Sequence, residues 1–369
     1  MASNHYVIRS HRLSTEEDSE LERQLKLLNK PAVTTIQTKY GDLYDCVDFY
    51  QQPAFDHLLL KDHKYEFKMS SYNHELNRRT NADTYDTDIF DIWSNGKGCP
   101  SNTVPIRRIT KQDIIKANRA AELRYNISLD LNPGVEVAML RTTQQNKYYG
   151  GGMDVAVYHP AVQSTQYSSS HVKVENGPDS ISVGWTVNPS LYPDNETRMF
   201  IYTTTKDSYC YNTYCPGFII STTEVPIDLL LKPYTQIGGP LYEQKFFVRK
   251  DAANGDWFLV IGRTNITVGS WPQKIFTALA DSANYVEWGG EVYSPPGTDP
   301  PPMGAGQKLQ QKLYSDCYGR QVNLINENHE IDHDPPSCET YQSSKRYQVI
   351  DEGLAAGPGI GRLIFFGGP

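Results

Sequence analysis

The sequence predicts a mainly β protein: a body of short strands, built as a sandwich or a barrel, behind a small α+β domain. Three observations lead there. The chain carries 25 Tyr, 23 Pro and 27 Gly, a rich supply of strand-forming aromatics and turn residues. Helical periodicity nearly vanishes after about residue 130. From there, short β-type runs recur between turn residues, at 135–141, 153–158, 180–187, 199–204, 217–221, 242–249, 257–261, 286–293 and 362–366.

The elements follow in order. Ser14 is an N-cap with Glu17 three residues on, a capping box, and Leu21, Leu25 and Leu28 then line one helix face up to Lys30-Pro31. Residues 33–49 alternate around Tyr40-Gly41-Asp42, which reads as a hairpin. Thr110 and Asp113 open a second helix over 111–123, with Ile114, Ile115, Ala117 and Ala121 on its apolar side. The texture changes at Asn132-Pro133-Gly134, so the expected domains are 1–130 and 134–369. One further helix is expected at 272–279, and the Pro/Gly-rich stretch 294–306 reads as a surface loop.

Charge and hydropathy exclude some partners. The net charge of −8 argues against nucleic acid or anionic lipid as the main partner. No apolar run approaches the ~18 residues of a membrane-spanning helix. Six cysteines form an even set, with fifteen pairings open. Cys210 and Cys215 suit a small closed loop, Cys317 and Cys338 bracket a polar loop, and Cys46 and Cys99 remain for the first domain. Sequons at Asn126, Asn195 and Asn265 join the cysteines in leaning towards a secretory protein. Met1 to Leu13 holds no apolar segment of a signal peptide. Either the protein is cytosolic, or its true start lies upstream.

Several motifs point nowhere. His329-Glu330-Ile331-Asp332-His333 matches H-E-x-x-H, but Asp334-Pro335-Pro336 follows and no apolar helix surrounds it, so no metal is expected. Gly357-Pro358-Gly359-Ile360-Gly361 lacks the spacing and the following helix of a nucleotide loop. There is no G-x-S-x-G elbow. No cofactor is expected.

Two strands carry more. In 181–187, Ile181, Val183, Trp185 and Val187 form an apolar face, and Ser182, Gly184 and Thr186 a small polar one. In 285–293, Glu287, Gly289, Glu291 and Tyr293 share a face. A carboxylate among glycines and tyrosines suits a cleft floor with room for a substrate backbone. An exposed sheet face with solvated glutamates is the plainer reading.

The chain resembles the plant neprosin family, with an activation-peptide domain followed by a neprosin catalytic domain. The resemblance covers nearly the whole chain. Its first part runs through Asn29-Lys30-Pro31-Ala32-Val33, Asp45-Cys46-Val47-Asp48, Gln52-Pro53-Ala54-Phe55-Asp56-His57 and Cys99-Pro100. Its second part holds Gly184-Trp185-Thr186-Val187-Asn188-Pro189, Asp194-Asn195-Glu196-Thr197-Arg198, Cys210-Tyr211-Asn212, Cys215-Pro216-Gly217-Phe218, Gly255-Asp256-Trp257, Trp271-Pro272 and Trp288-Gly289-Gly290-Glu291. It implies an antiparallel β-sandwich of two sheets with a concave cleft, and a secreted, extracellular or vacuolar glutamic endopeptidase that cleaves after proline at acid pH. Its partners are then a proline-containing peptide or protein and the chain's own inhibitory activation peptide. Secretion also implies a true N-terminus upstream of Met1, with a cytosolic location as the alternative.

The implied chemistry uses two glutamates on one water, an ionised base and a protonated acid. Glu291 stands at one of the two positions. At the other, where the family has Ile-Glu-x-Gly-Trp, this chain has Ile181-Ser182-Val183-Gly184-Trp185. A serine hydroxyl neither holds the charge nor supplies the proton. Glu175 and Asp179 are the carboxylates nearby in sequence, the first needing a bend and the second pointing to the other face. Gly184, Trp185, Trp288, Gly289 and Tyr293 are the expected cleft residues. Three functions follow: a peptidase whose dyad is completed differently, a catalytically deficient paralogue that binds proline-rich peptides or cell-wall protein, and a carbohydrate-binding sandwich.

Overall fold

The first helix begins where its cap allows. In the computed structural model, which describes residues 14–62, 65, 84–86, 91–128, 134–355, 357 and 359–369, α1 (Thr15–Leu28) opens on a reciprocal capping box. The Glu17 N–H donates to the Ser14 hydroxyl and the Ser14 N–H to the Glu17 carboxylate, which satisfies two donors that a helix start leaves orphaned. Leu21 and Leu28 are buried against Ile109 and Ile114. Met1 to Leu13, Asn132, Pro133 and Pro358 lie outside the described residues.

The strands β1 (Ala32–Gln37) and β2 (Leu43–Asp48) form the hairpin around Gly41. A short β3 (Thr84–Asp86) runs parallel to 241–243 of the body, and β4 (Thr103–Arg107) completes a three-stranded sheet beside β2. The Cys46–Cys99 disulfide ties this sheet to the segment before β4. It closes a loop of sequence separation 53, so replacing both cysteines by alanine is expected to cost about 2–5 kcal/mol in urea unfolding. A loss under 1 kcal/mol would mean that the domain's contacts with the body already restrict that loop.

The second helix, α2 (Lys111–Ser128), is opened by Thr110 and Asp113, each accepting from the other's N–H. It outruns the expected end at residue 123 because its last turns keep finding partners on the body. Ala117, Ala120 and Ala121 pack on Leu191, Tyr192, Phe200 and Tyr202. Tyr125 stacks on Tyr209 with ring centroids 4.5 Å apart.

The body is a sandwich of two antiparallel sheets. Its strands are β5 (Val135–Thr142), β6 (Gly150–Ala156), β7 (Tyr167–Asn176), β8 (Asp179–Val187), β9 (Thr197–Thr205), β10 (Ser208–Tyr211), β11 (Ile219–Ile220), β12 (Leu241–Lys250), β13 (Trp257–Ile261), β14 (Ile266–Trp271), β15 (Tyr285–Tyr293), β16 (Tyr318–Ile325), β17 (Ile331–Asp332), β18 (Cys338–Gln342), β19 (Gln348–Leu354) and β20 (Arg362–Gly367). One sheet runs β10-β9-β8-β7-β15-β5-β18. The other runs β11-β14-β13-β12-β6-β16-β20-β19, with β17 on β16 and β3 on β12. Between them lies the core. Ile181, Val183 and Trp185 from the first sheet join Val155, Phe246 and Val248 from the second. All five tryptophans are buried, each withdrawing a large apolar surface from water.

Several expectations need correction. The helix at 272–279 is only a 3-10 turn, Gln273–Ile275. The Asp179 carboxylate accepts from the N–H groups of Thr277, Ala278 and Leu279, diverting the donors a helix needs. Cys210 and Cys215 are bonded to each other, but Cys317 and Cys338 are not. Cys317 is buried with its Sγ 3.7 Å from the Ala156 carbonyl of the ten-stranded sheet, whereas Cys338 sits on β18 of the other sheet. The H-E-x-x-H segment is a turn into β17, with His329 at φ +61° and Asn326 capping the N–H groups of Asn328 and Glu330.

An ionic network fastens the N-terminal sheet to the body. Arg198 pairs with Asp42 at 3.0 Å and with Asp194 at 2.7 Å. Arg107 pairs with Asp228 at 2.8 Å, and the Tyr44 hydroxyl donates to Asp228 at 2.9 Å.

Candidate active site

Strand alternation puts the polar residues of β7, β8 and β15 on the face of the seven-stranded sheet turned away from the core. There they line a cleft of about 390 Å³. Ser182 comes from β8, Lys173 and Glu175 from β7, and Glu287 and Glu291 from β15. Arg141 of β5 adds a second cation, and Arg124, which α2 inserts from the N-terminal part, a third.

The ladder register decides who faces whom. Ser182 is opposite Lys173, which is opposite Glu287. Glu291 lies two rows further along this face, opposite Ser169 and then Thr186, with the row of Gly289, His171 and Gly184 between. Ser182 and Glu291 therefore share the cleft, but Glu287 is the carboxylate level with Ser182. With neighbouring strands ~4.8 Å apart, the Ser182 and Glu287 backbones are about 10 Å apart.

Glu291 is 8% exposed. Its Oε1 accepts from the Tyr167 hydroxyl at 2.8 Å and lies 3.4 Å from Arg124 Nη2. Burial alone would raise its pKa. The Arg124 guanidinium, helped by His171 and then by the Tyr167 hydrogen bond, outweighs burial and holds the carboxyl below its ordinary value, while Glu287 pushes back upward. Glu287 is pinned more firmly. His171 Nε2 lies 2.9 Å from Oε1, the Tyr285 hydroxyl donates to Oε2 at 2.5 Å, and Lys173 Nζ is 3.7 Å away. Burial opposes ionisation, but Lys173 first, then His171 and Tyr285, keep this carboxyl far below the usual range. Lys173 is held protonated in turn, because Glu287 and Glu175 overcome its own burial. Its ammonium is committed to Glu175 at 2.6 Å and Glu287 at 3.7 Å, an arrangement that argues against its acting as a base for Ser182.

Other expected cleft residues are placed differently. Trp185 and Trp288 point into the sandwich, fully buried, and Trp185 Nε1 donates to the Ala156 carbonyl. Each is one residue out of phase with the polar face. Gly184 and Gly289 flank His171 in one row, but not to leave room for a ligand. A Cβ on Gly184 would meet the Ser170 carbonyl at 1.9 Å, and one on Gly289, at φ +153°, the Ala138 carbonyl at 2.4 Å. These glycines let the strands approach each other. Tyr293 is buried and stacks on Tyr167, the ring that orients Glu291. Glu175 lines the cleft and binds Lys173 at 2.6 Å without any bend in the strand. Asn195 and Asn265 are exposed, whereas Asn126 is half-buried in α2.

Arg124, Tyr167, His171 and Lys173 were not singled out from sequence. The last three sit on β7, whose Tyr-Ser-Ser-Ser-His start hides the strand. Arg124 lies beyond the end expected for α2.

A cleft of glutamates and paired cations on a β-sandwich, closed by an arginine from the N-terminal part, defines a two-part protein with a covered site. Residues 35–148 match the neprosin activation peptide and residues 164–369 match neprosin. The chain belongs to the neprosin family. Among solved structures it is similar to scytalido-glutamic peptidase with a peptide-based transition-state analogue, at 8% identity over 64% of this chain and 97% of that one, TM-score 0.37. SCP-B, a member of the eqolisin family of peptidases in complex with the tripeptide Ala-Ile-His, is similar at 9% identity over 63% and 96%, TM-score 0.34.

Proposed function

We propose that this chain is the zymogen of a secreted glutamic endopeptidase that cleaves after proline at acid pH. Glu291 is its proton-transferring carboxyl and Arg124 of the activation domain its stopper. The observation that carries this reading is the Arg124–Glu291 pair inside the cleft. A domain that inserts a cation against the one glutamate the family motif supplies is placed to silence it.

Once α2 leaves, Glu291 loses the largest influence lowering its pKa, and burial and Glu287, which raise it, are opposed only by His171 and the Tyr167 hydrogen bond. The reaction then needs one proton-transfer group and one electrostatic partner. Ionised Glu291 takes a proton from water as the water oxygen attacks the scissile carbonyl carbon. The resulting oxyanion faces the Ser182 hydroxyl and the Lys173 ammonium, donors in the place of the missing carboxyl. Glu291 then returns the proton to the amide nitrogen as the C–N bond breaks, giving a carboxylic acid and an amine. Tyr202, Tyr285 and Tyr341 line the cleft and offer ring faces to proline in an extended substrate. The two disulfides suit an oxidising compartment.

Ser182 itself favours a second reading, a peptide-binding paralogue without catalysis. The two separate on a proline-containing fluorogenic peptide at acid pH, using acid-processed native protein and Ser182→Glu. Native protein is expected to cleave after proline. A glutamate at 182 lands beside Lys173, which already supplies its counter-charge, so the variant is expected to fold and to gain about tenfold or more in kcat/KM. A silent native protein with an active Ser182→Glu variant would establish the binding paralogue. If both are folded and silent, the peptidase reading fails.

A further inference from the structure

The residues that hold Arg124 all belong to the body, so they form a binding site whatever α2 does. The guanidinium carbon lies 5.0 Å from the ring centroid of Tyr202, 5.1 Å from Phe200 and 5.9 Å from Tyr211. Nη1 donates to the Tyr211 hydroxyl at 3.3 Å, and Nη2 is 3.4 Å from Glu291. The arginine is 5% exposed. Aromatic faces with a carboxylate at one end suit a planar, weakly hydrated cation that can stack and still present N–H groups edge-on. A lysine ammonium has no plane to stack.

We infer that Phe200, Tyr202, Tyr211 and Glu291 form a guanidinium-binding subsite of the cleft, filled here by Arg124, and that it accepts the arginine side chain of a separate peptide when α2 is absent. The binding stands on this geometry alone. Its consequence rests on the peptidase reading: an arginine in the cage holds Glu291 ionised, as Arg124 does, and blocks the return of its proton to the leaving nitrogen. Arginine-bearing peptides that reach the cage are then inhibitors of the processed protein.

Full-length Arg124→Ala, which lacks only the ethylguanidine portion of the side chain, tests the binding. Ethylguanidine is expected to raise the melting temperature of this variant in a concentration-dependent way and to leave the wild type unmoved. Ethylurea, the neutral isostere, is expected to bind at least about tenfold more weakly. If the variant does not fold unaided, the readout becomes the yield of folded protein on refolding with ethylguanidine against ethylurea. Equal effects of the two compounds, or equal shifts of variant and wild type, would overturn the subsite. In the activity arm, arginine amide is expected to inhibit the processed protein competitively, and citrulline amide is not. Absence of all peptidase activity would remove the inhibition but leave the binding result to decide the subsite. Binding without inhibition of an active enzyme would sink the claimed consequence.

Discussion

Glu291→Gln is expected to abolish peptide cleavage, with a loss of about 10²–10⁴-fold or more in kcat/KM. Glutamine fills the same volume and still accepts from Tyr167, so the fold and the cleft should survive. It cannot take a proton from water or return one. The companion variant Glu287→Gln separates proton transfer from electrostatics. Glu287 is saturated by His171, Tyr285 and Lys173 and too strongly held as a carboxylate to serve as a base. Its charge nevertheless raises Glu291. Removing that charge should lower the pKa of Glu291 in the open cleft. The acid limb of the pH–rate profile, which reports Glu291 ionised as base, should then move to lower pH. A Glu291→Gln protein that still cleaves would show that the catalytic role does not belong to Glu291.

How far the sequence anticipated this site depends on the strand. In β8, strict alternation of Ile181, Val183, Trp185 and Val187 with small polar residues reveals both the strand and the face that meets the core, and the structure buries all four. In β15 the same parity identifies Glu287 and Glu291 as sharing a face. It also shows that Trp185 and Trp288 cannot line the cleft, although their place in family motifs drew attention to them. The central strand β7 was silent. Its start, Tyr167-Ser168-Ser169-Ser170-His171, has no apolar alternation because polar serines are buried on both faces there, some of them bonded to neighbours that only the sheet brings near. Ser170, for one, donates to the Gly289 carbonyl. Local pattern cannot anticipate a partner more than a hundred residues away. The same limit hid Arg124, whose aromatic cage is assembled from β9 and β10, and misread 272–279, where a distant aspartate captures the helix's donors. Cys317 and Cys338 show the limit for covalent pairing: they bracket a polar loop that suggested a bridge, but Cys317 packs against the ten-stranded sheet and Cys338 lies on β18 of the other.

Arg198→Met is expected to destabilise the full chain by about 3–5 kcal/mol, because it strips the cation from a buried network. Arg198 is 1% exposed and lies between Asp42 of the N-terminal hairpin and Asp194 of the body, and it also donates to the Asp228 carbonyl. Methionine fills much of the space but leaves Asp42 and Asp194 facing a gap. Asp42 keeps Arg107 at 3.2 Å, so the second change that should recover part of the loss is Asp194→Asn, which removes the carboxylate left without its arginine. The network also sets a direction for pH. Burial alone would raise the pKa of Asp194, but the Arg198 hydrogen bonds and charge outweigh it and leave the carboxyl lowered. Glu291 is lowered too, through Arg124 against its own burial. A carboxyl depressed in the folded state contributes stability that is fully present above its unfolded pKa, about 4 for these groups. That contribution is lost as pH falls through the depressed folded value. Both carboxyls serve contacts between the N-terminal part and the body, Glu291 through Arg124 directly and Asp194 through the arginine that binds Asp42. Acid therefore weakens the docking of the activation domain and the stopper together, the order of events a zymogen needs if its peptidase works at acid pH. Urea unfolding from pH 7 to 2.5 should show stability falling below about pH 4 in the wild type, with a flatter acid slope in Arg198→Met. An equal slope in the two proteins would mean that other carboxyls govern the acid response and that this network is only a structural fastening.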